Sequence, residues 1–183
     1  DLLKKMRKAG CWNIFYGYET GVEELAKNIL TNKKNRDFEK MKRISRWTRE
    51  AGIETRAGFL VGLPGETPEL AKKTIQTAID LDPDYAQFTV CCPYPGTKLA
   101  NEIHEGKWGK FLTHELKKYN MWNVTWLPFG YKNAEELKNM ERYAFRKFYL
   151  RPSYIIKRIM KIRRFEDIKR YIKGGAALVR GFL

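Results

Sequence analysis

The sequence predicts an α/β fold in which parallel strands are covered by helices, and three observations predict it. Apolar runs end three times in a glycine- or proline-rich polar corner: "NIFYGYETG", "AGFLVGLPGET" and "AQFTVCCPYPGT". A helical stretch separates the first run from the second, and another separates the second from the third. Strand and helix alternating with short connections require right-handed crossovers and therefore a parallel sheet.

The elements follow in order. The opening "DLLKKMRKAG" has the pattern of an amphipathic helix entered midway. The first strand ends in the corner Gly17-Tyr-Glu-Thr-Gly21. The next helix places Phe38, Met41, Ile44, Trp47 and Ala51 on one face and closes at Gly52, since glycine takes the left-handed conformation that ends helices. The second strand ends in Gly62-Leu-Pro-Gly-Glu-Thr67, where Thr67 supplies an N-cap and Pro68 suits the first helical position. That helix carries Leu70, Thr74, Ala78 and Leu81 on its apolar face and stops before Pro83. The third strand ends in Pro93-Tyr-Pro-Gly-Thr97. From about Phe111 the alternation gives way to an irregular aromatic stretch, and Trp122, Trp126, Pro128 and Gly130 suggest a packed loop. "AEELKNMERYAFRKFYL" is a helix with Leu137, Met140, Tyr143, Ala144 and Phe148 on one stripe. A further helical segment, "SYIIKRIMKIRRFEDIKRYIK", follows Pro152 and ends at Gly174-Gly175. The expected organisation is a strand–helix unit over residues 1–110, then an aromatic loop and basic helical extension over 111–183.

Composition narrows the function classes. A chain of 183 residues can bury a real core, and 43% hydrophobic with 14% aromatic content excludes disorder. No run approaches the ~20 apolar residues that span a bilayer. The chain does not begin with Met and shows no signal peptide, so it is expected to be a cytoplasmic piece of something longer. Cys11, Cys91 and Cys92 have neither metal-ligand spacing nor a disulfide framework, which fits a reducing compartment. Of the net charge of +15, residues 151–183 contribute ten Lys/Arg against two acids, so a polyanion would be felt there first. His104 and His114 lie outside the strand-end corners and read as surface residues.

In parallel α/β folds ligands bind at the C-terminal ends of the strands. The three corners share that rim and form the candidate site. Gly58 and Gly62 admit two interpretations: a flat ligand lies against bare backbone, or the glycines only permit a tight turn and close helix packing. The corner is neither a P-loop nor a G-x-G-x-x-G fingerprint.

"AGCWNIFYGYETG", "AGIETRAGFLVGLPGET" and "DPDYAQFTVCCPYPGTKL", in this order, resemble the second half of a radical S-adenosylmethionine (SAM) core. "FYLRPSY" resembles the cobalamin-binding branch of that family, which includes the anaerobic cyclase of chlorophyll biosynthesis and several methyltransferases. The likeness covers roughly residues 1 to 154. It implies that the three strands are the fourth to sixth of a partial (β/α)6 TIM-like barrel, followed by a C-terminal helical extension. It also implies that Glu19 bonds the ribose hydroxyls of SAM, with Thr20 and Gly21 completing that corner; a helix-capping or surface role is the alternative for Glu19. A carboxylate suits two hydroxyl donors because it accepts in a bidentate way. Lys33 or Lys34 falls where the family often has a basic residue facing the methionine carboxylate, or belongs to a solvated charge run. Gly58, Leu60, Gly62 and Pro64 match the strand and corner against which adenine packs, and Tyr94 falls on the corner bordering the active site.

The family's [4Fe–4S] cluster is held by C-x-x-x-C-x-x-C, which does not occur in this sequence. Adjacent Cys91 and Cys92 point to opposite faces of a strand and cannot replace it. The resemblance therefore implies an enzyme whose cluster ligands, and any cobalamin domain, lie outside this chain. With that missing N-terminal half it would cleave SAM to a 5′-deoxyadenosyl radical for methyl transfer, cyclisation or related C–H chemistry on a small molecule. Two alternatives stand beside it: a basic nucleic-acid-binding module gripping through the tail, and a catalytically inactive split subunit.

Overall fold

The computed structural model describes residues 1–29, 37–162 and 169. Strands β1 (Asn13–Glu19), β2 (Glu54–Val61) and β3 (Tyr85–Val90) form one parallel sheet in the order β1-β2-β3. Around it lie α1 (Leu2–Lys8), α2 (Glu23–Ile29), α3 (Phe38–Glu50), α4 (Pro68–Leu81) and α5 (Lys98–His104). The expected parallel sheet is present, and its strand ends carry the three corners on one rim.

Alternation along β2 decides which face is covered. Ala57, Phe59 and Val61 are buried with Phe88 and Val90 of β3 and with Ala71, Ile75, Ala78 and Leu81 of α4. The other face carries Phe15, Arg56 and Gln87 and is exposed or half-buried along its length. Successive residues of a strand point to opposite sides, so one sheet presents a helix-packed face and a bare one.

α4 starts as its sequence dictates: the Thr67 hydroxyl accepts from the Leu70 N–H and Pro68 sits in the first turn. It ends at Asp82, whose left-handed φ of 46° turns the chain into Pro83. α3 is rotated by about one residue from expectation. Met41, Ser45 and Thr48 are buried while Trp47 is 48% exposed. The cause is a polar seam: Tyr16 and Tyr18 of β1 hydrogen-bond Thr48 at 2.8 Å and Ser45 at 2.9 Å. Two tyrosine hydroxyls, one buried and one half-buried, need partners under α3, and that requirement outranks the apolar count on the helix.

The aromatic stretch contains a short antiparallel hairpin, β4 (Gly109–Phe111) with β5 (Trp126–Pro128), and a 3₁₀ turn at Leu116–Lys118. Trp126 is fully buried and donates its indole N–H to the Cys91 carbonyl at 2.8 Å. With Leu25, Leu63, Cys91 and Ile103 it forms a second apolar cluster near the strand ends.

α6 (Ala134–Tyr149) packs on the covered face through Leu137, Met140, Ala144, Phe145 and Phe148, while Tyr143, expected on that stripe, is 38% exposed. α6 also finishes the outer edge of β3. The Tyr149 hydroxyl donates to the Ala86 carbonyl at 2.7 Å and accepts from the Ala86 N–H at 3.0 Å, and Glu141 accepts from the Val90 N–H. A strand edge left bare pairs with other chains, and these side chains occupy that role.

α7 (Pro152–Met160) has Lys161 as its C-cap, and the expected end of the helical segment at Gly174-Gly175 lies outside the described residues. Its inward residues are Tyr154 and Arg158, whereas Ile155 and Ile159 are exposed. Both inward residues reach Asp84: Tyr154 and Arg158 bond its carbonyl, and Arg158 and Lys161 pair with its carboxylate. Pairing with this buried acid, rather than the isoleucine periodicity, sets the face of the helix.

Candidate functional site

The first corner is built on an irregularity. Register between β1 and β2 shifts after Gly17, and Glu19 adopts a left-handed φ of 59°. That conformation costs a non-glycine residue about 1 kcal/mol, and residues held in it cluster at functional sites. Its effect is to turn the carboxylate back over Gly17, where an added Cβ would lie 2.7 Å from Glu19 Oε1. Gly17 is paired in register with Gly58, and the Phe15 ring covers Gly58, with its Cζ 2.7 Å from where a Cβ would be. A carboxylate, two glycines and a ring that is 56% exposed thus share the bare face of the sheet.

Thr20 and Gly21 belong to the corner's framework. Thr20 is fully buried, its hydroxyl 2.9 Å from that of Thr74 in α4 and accepting from the Val22 N–H at 3.1 Å. The Gly21 N–H donates to the Thr74 hydroxyl, and a Cβ at Gly21 would collide with Thr77. Both residues hold β1 against α4, which fixes where Glu19 stands.

The second corner separates the two expected glycines. Gly58 faces the bare side, but Gly62 has a φ of 76° and its missing side chain would point at Leu137 of α6. The turn and the helix packing account for Gly62. Leu60 is half-buried against the second apolar cluster, and buried Pro64 accepts from the Asn28 side chain at 2.9 Å.

This corner also contains a residue that sequence reasoning missed. Glu66 is fully buried, and its Oε1 accepts from the Gly62 N–H at 2.5 Å and the Tyr131 hydroxyl at 2.7 Å. Its Oε2 is buried without a hydrogen-bond partner. Burial pushes the carboxyl up to about 7, against the opposing pull of Tyr131 and the Gly62 and Leu63 N–H groups. The one signal in the sequence was a glutamate inside an otherwise apolar turn; its partner lies 65 positions away.

At the third corner Tyr94 is 52% exposed beside Tyr119, with ring centroids 6.3 Å apart. Cys91 is buried, and burial pushes its thiol up to about 12. Cys92 is half-buried with its sulfur 3.6 Å from the Thr125 hydroxyl, and Cys11 lies at the other end of the sheet, against the Asn13 carbonyl. A protonated, buried thiol is a poor cluster ligand, and among the described residues no group of three His, Cys, Asp or Glu side chains could hold a metal. The residues described do not fit a [4Fe–4S] cluster. A carboxylate beside two glycines and an exposed aromatic ring has the chemistry to meet a ribose and a flat base. Lys33 and Lys34 lie outside the described residues.

The basic tail is partly accounted for at the opposite end of the sheet. Arg151 and Lys157 pair with Asp82, and Arg158 and Lys161 with Asp84. Burial would raise the Asp84 carboxyl, but Lys161, the Thr55 N–H and Arg158 together hold it below the ordinary range. The other basic residues of the tail lie beyond residue 162. No described helix is long and apolar enough to cross a membrane.

No protein-family model matches the chain. It is 32% identical to an uncharacterized methyltransferase of Pyrococcus horikoshii, over 93% of this chain and 36% of that protein. It is also 32% identical to the anaerobic magnesium-protoporphyrin IX monomethyl ester cyclase of Cereibacter sphaeroides, over 82% of this chain and 23% of that one. Among solved structures it resembles the radical SAM methyltransferase TsrM of Kitasatospora setae, solved with cobalamin and a [4Fe–4S] cluster bound. There the TM-score is 0.52 at 29% identity, covering 57% of this chain and 20% of that one. The chain spans about a third or less of the length of these curated relatives.

Proposed function

The chain belongs to the radical SAM enzyme family, and from that premise we propose that it forms the SAM-binding second half of a partial barrel in a larger enzyme. The observation that carries this is the bulged end of β1, where left-handed Glu19 aims its carboxylate over Gly17 beside Gly58.

In this role Glu19 accepts the two ribose hydroxyls, its charge strengthening both bonds. Thr20 and Gly21, tied to Thr74, keep that carboxylate from drifting. The adenine stacks on the exposed ring of Phe15, which lies over Gly58, with Leu60 beside it. Tyr94 borders the substrate, and Lys33 or Lys34 faces the methionine carboxylate. SAM, once bound and reductively cleaved, supplies the radical chemistry of the family for methyl transfer, cyclisation or related C–H chemistry. Cluster ligands and any cobalamin domain belong to other parts of the polypeptide, and the expected substrate is a small molecule. We place the enzyme in the cytoplasm, where a reducing environment suits such a cluster and the three unpaired cysteines.

The test is SAM binding to the full-length protein by titration calorimetry. Replacing Glu19 with Ala removes a charged acceptor from two hydroxyls, so the dissociation constant should rise roughly 10- to 100-fold. Unchanged affinity would remove Glu19 from the site.

A further inference from the structure

The Gly62–Thr67 corner is held from outside the strand–helix unit, and the side-chain hydrogen bond in that hold is made by Tyr131. Tyr131, in the loop entering α6, donates its hydroxyl to Glu66 Oε1, and the same oxygen accepts from the Gly62 N–H. The contact is closely fitted, since a Cβ on neighbouring Gly130 would lie 2.0 Å from the Glu66 carbonyl oxygen. Tyr131 is 4% exposed. No described cation pairs with Glu66, and its second oxygen has no hydrogen-bond partner. The Gly62 N–H and the Tyr131 hydroxyl converge on one oxygen, with the Leu63 N–H also favouring the charged form, and make a clamp whose strength follows the charge on that carboxylate.

We propose that Tyr131 and Glu66 are positioning residues for SAM, a clamp by which the C-terminal extension holds the Gly62–Pro64 corner in its binding-competent shape. This rests on the SAM site proposed above and adds to it a control by residues that touch no part of SAM. Ionised Glu66 draws in the Gly62 N–H and the Tyr131 hydroxyl with charge-assisted bonds; protonated Glu66 accepts them weakly, and the corner loosens. The groups facing this carboxyl are few. Tyr131 precedes α6, Cys91 follows β3 and feels the charge of Glu66, and Glu69 and Glu136, at the starts of α4 and α6, act on Tyr131. The thiol and the phenol are both raised, so neither ionises in the range where Glu66 does. Affinity for SAM should therefore fall as pH drops through about 7, the value to which burial brings Glu66.

The experiment measures SAM binding to the full-length protein from pH 6 to 8.5, in wild type, Tyr131→Phe and Glu66→Gln. The carboxyl of Glu66 is followed in parallel by NMR of protein labelled at glutamate carboxyls, its signal assigned by its loss in Glu66→Gln. Tyr131→Phe removes a donor that favours the ionised form, so the titration of Glu66 and the pH of half-lost affinity should both move up, by on the order of one unit. At pH 7.5 its dissociation constant should be roughly tenfold above wild type. Glu66→Gln should bind SAM with an affinity that is flat across this range. Wild-type pH profiles in both variants would overturn the clamp. Wild-type protein that binds no SAM at any pH would instead overturn the site on which it rests, and the Glu66 titration would still report whether Tyr131 sets its ionisation. If Tyr131→Phe fails to fold, a Glu66→Gln profile parallel to wild type overturns the proposal by itself.

Discussion

Gly62 and Gly58 sit four residues apart in one strand and corner, yet alanine at the two positions should do different things. At Gly62 the backbone is left-handed, which costs alanine about 1–2 kcal/mol. The new Cβ would also lie 2.9 Å from Leu137 Cδ1 and 3.1 Å from Cδ2. Leu137 is fully buried, so the leucine moves only by disturbing α6, and overpacking of this kind costs about 1–3 kcal/mol. Gly62→Ala should thus destabilise the fold by about 2–5 kcal/mol in urea unfolding. Leu137→Ala alone should cost about 2–5 kcal/mol as a cavity. In the double variant the collision is gone, and the two losses should sum to at least ~1 kcal/mol more than the loss observed. Strict additivity would refute the assignment of Gly62 to packing against α6. Gly58→Ala instead meets the outer end of the half-exposed Phe15 ring, which can swing away, so stability should change by less than about 1 kcal/mol. Its effect should appear as weaker SAM binding, because the displaced Phe15 ring would no longer lie as the platform proposed for adenine. A large loss of stability with unaltered affinity at Gly58 would reverse the roles of the two glycines.

Other outcomes follow from the buried polar groups. Asp84→Asn removes the charge that faces Arg158 and Lys161 and weakens the tie of α7 to the sheet, at a cost of about 1–3 kcal/mol in urea unfolding; hydrogen exchange should show α7 loosening before the sheet does. Tyr149→Phe leaves the Ala86 N–H and carbonyl without their side-chain partner, costing about 1–3 kcal/mol by thermal or urea unfolding, and light scattering should show increased self-association through β3. Glu66 sets a pH slope on stability. Because its folded value is raised from 4.5 to about 7, the folded chain keeps a proton that the unfolded chain has released. Its contribution therefore falls as pH rises through that window, by about 3 kcal/mol in total, and is constant above it. Glu66→Gln should remove this slope; an unchanged slope would mean that Glu66 ionises normally.

The sheet was legible because its signals are local. Each apolar run, its terminating corner and the following cap lie within about fifteen residues, and Thr67 with Pro68 acts on its own helix. Periodicity fared less well where a helix meets polar groups. Trp47 was assigned inward on spacing, but Tyr16 and Tyr18 required hydroxyl partners, and Thr48 and Ser45 took the buried face. α7 shows the same competition: its isoleucines repeat at helical spacing, yet Arg158 and Tyr154 face the protein because Asp84 is buried there. Charge in that tail suggested a polyanion, whereas its described part is drawn to two aspartates of the same chain.

For the candidate site, resemblance could select residue positions but could not say which way each one faces. Gly58 and Gly62 look equivalent as letters, and only backbone geometry separates a glycine left bare for the open face from one required by a turn. Glu19 gains its meaning from a bulge and a left-handed φ, neither of which a three-letter corner encodes. Glu66 was the hardest to find, because a glutamate in a turn is ordinarily solvated and nothing nearby in sequence announces a buried partner. Tyr131, 65 positions on, makes the difference. A carboxylate that is fully buried with one oxygen doubly engaged and the other idle gives the fold no stability it could not obtain from an apolar residue. Its place in the corner beside the bare strip is therefore explained by what it does to the shape of that corner, which is a quantity SAM affinity can report.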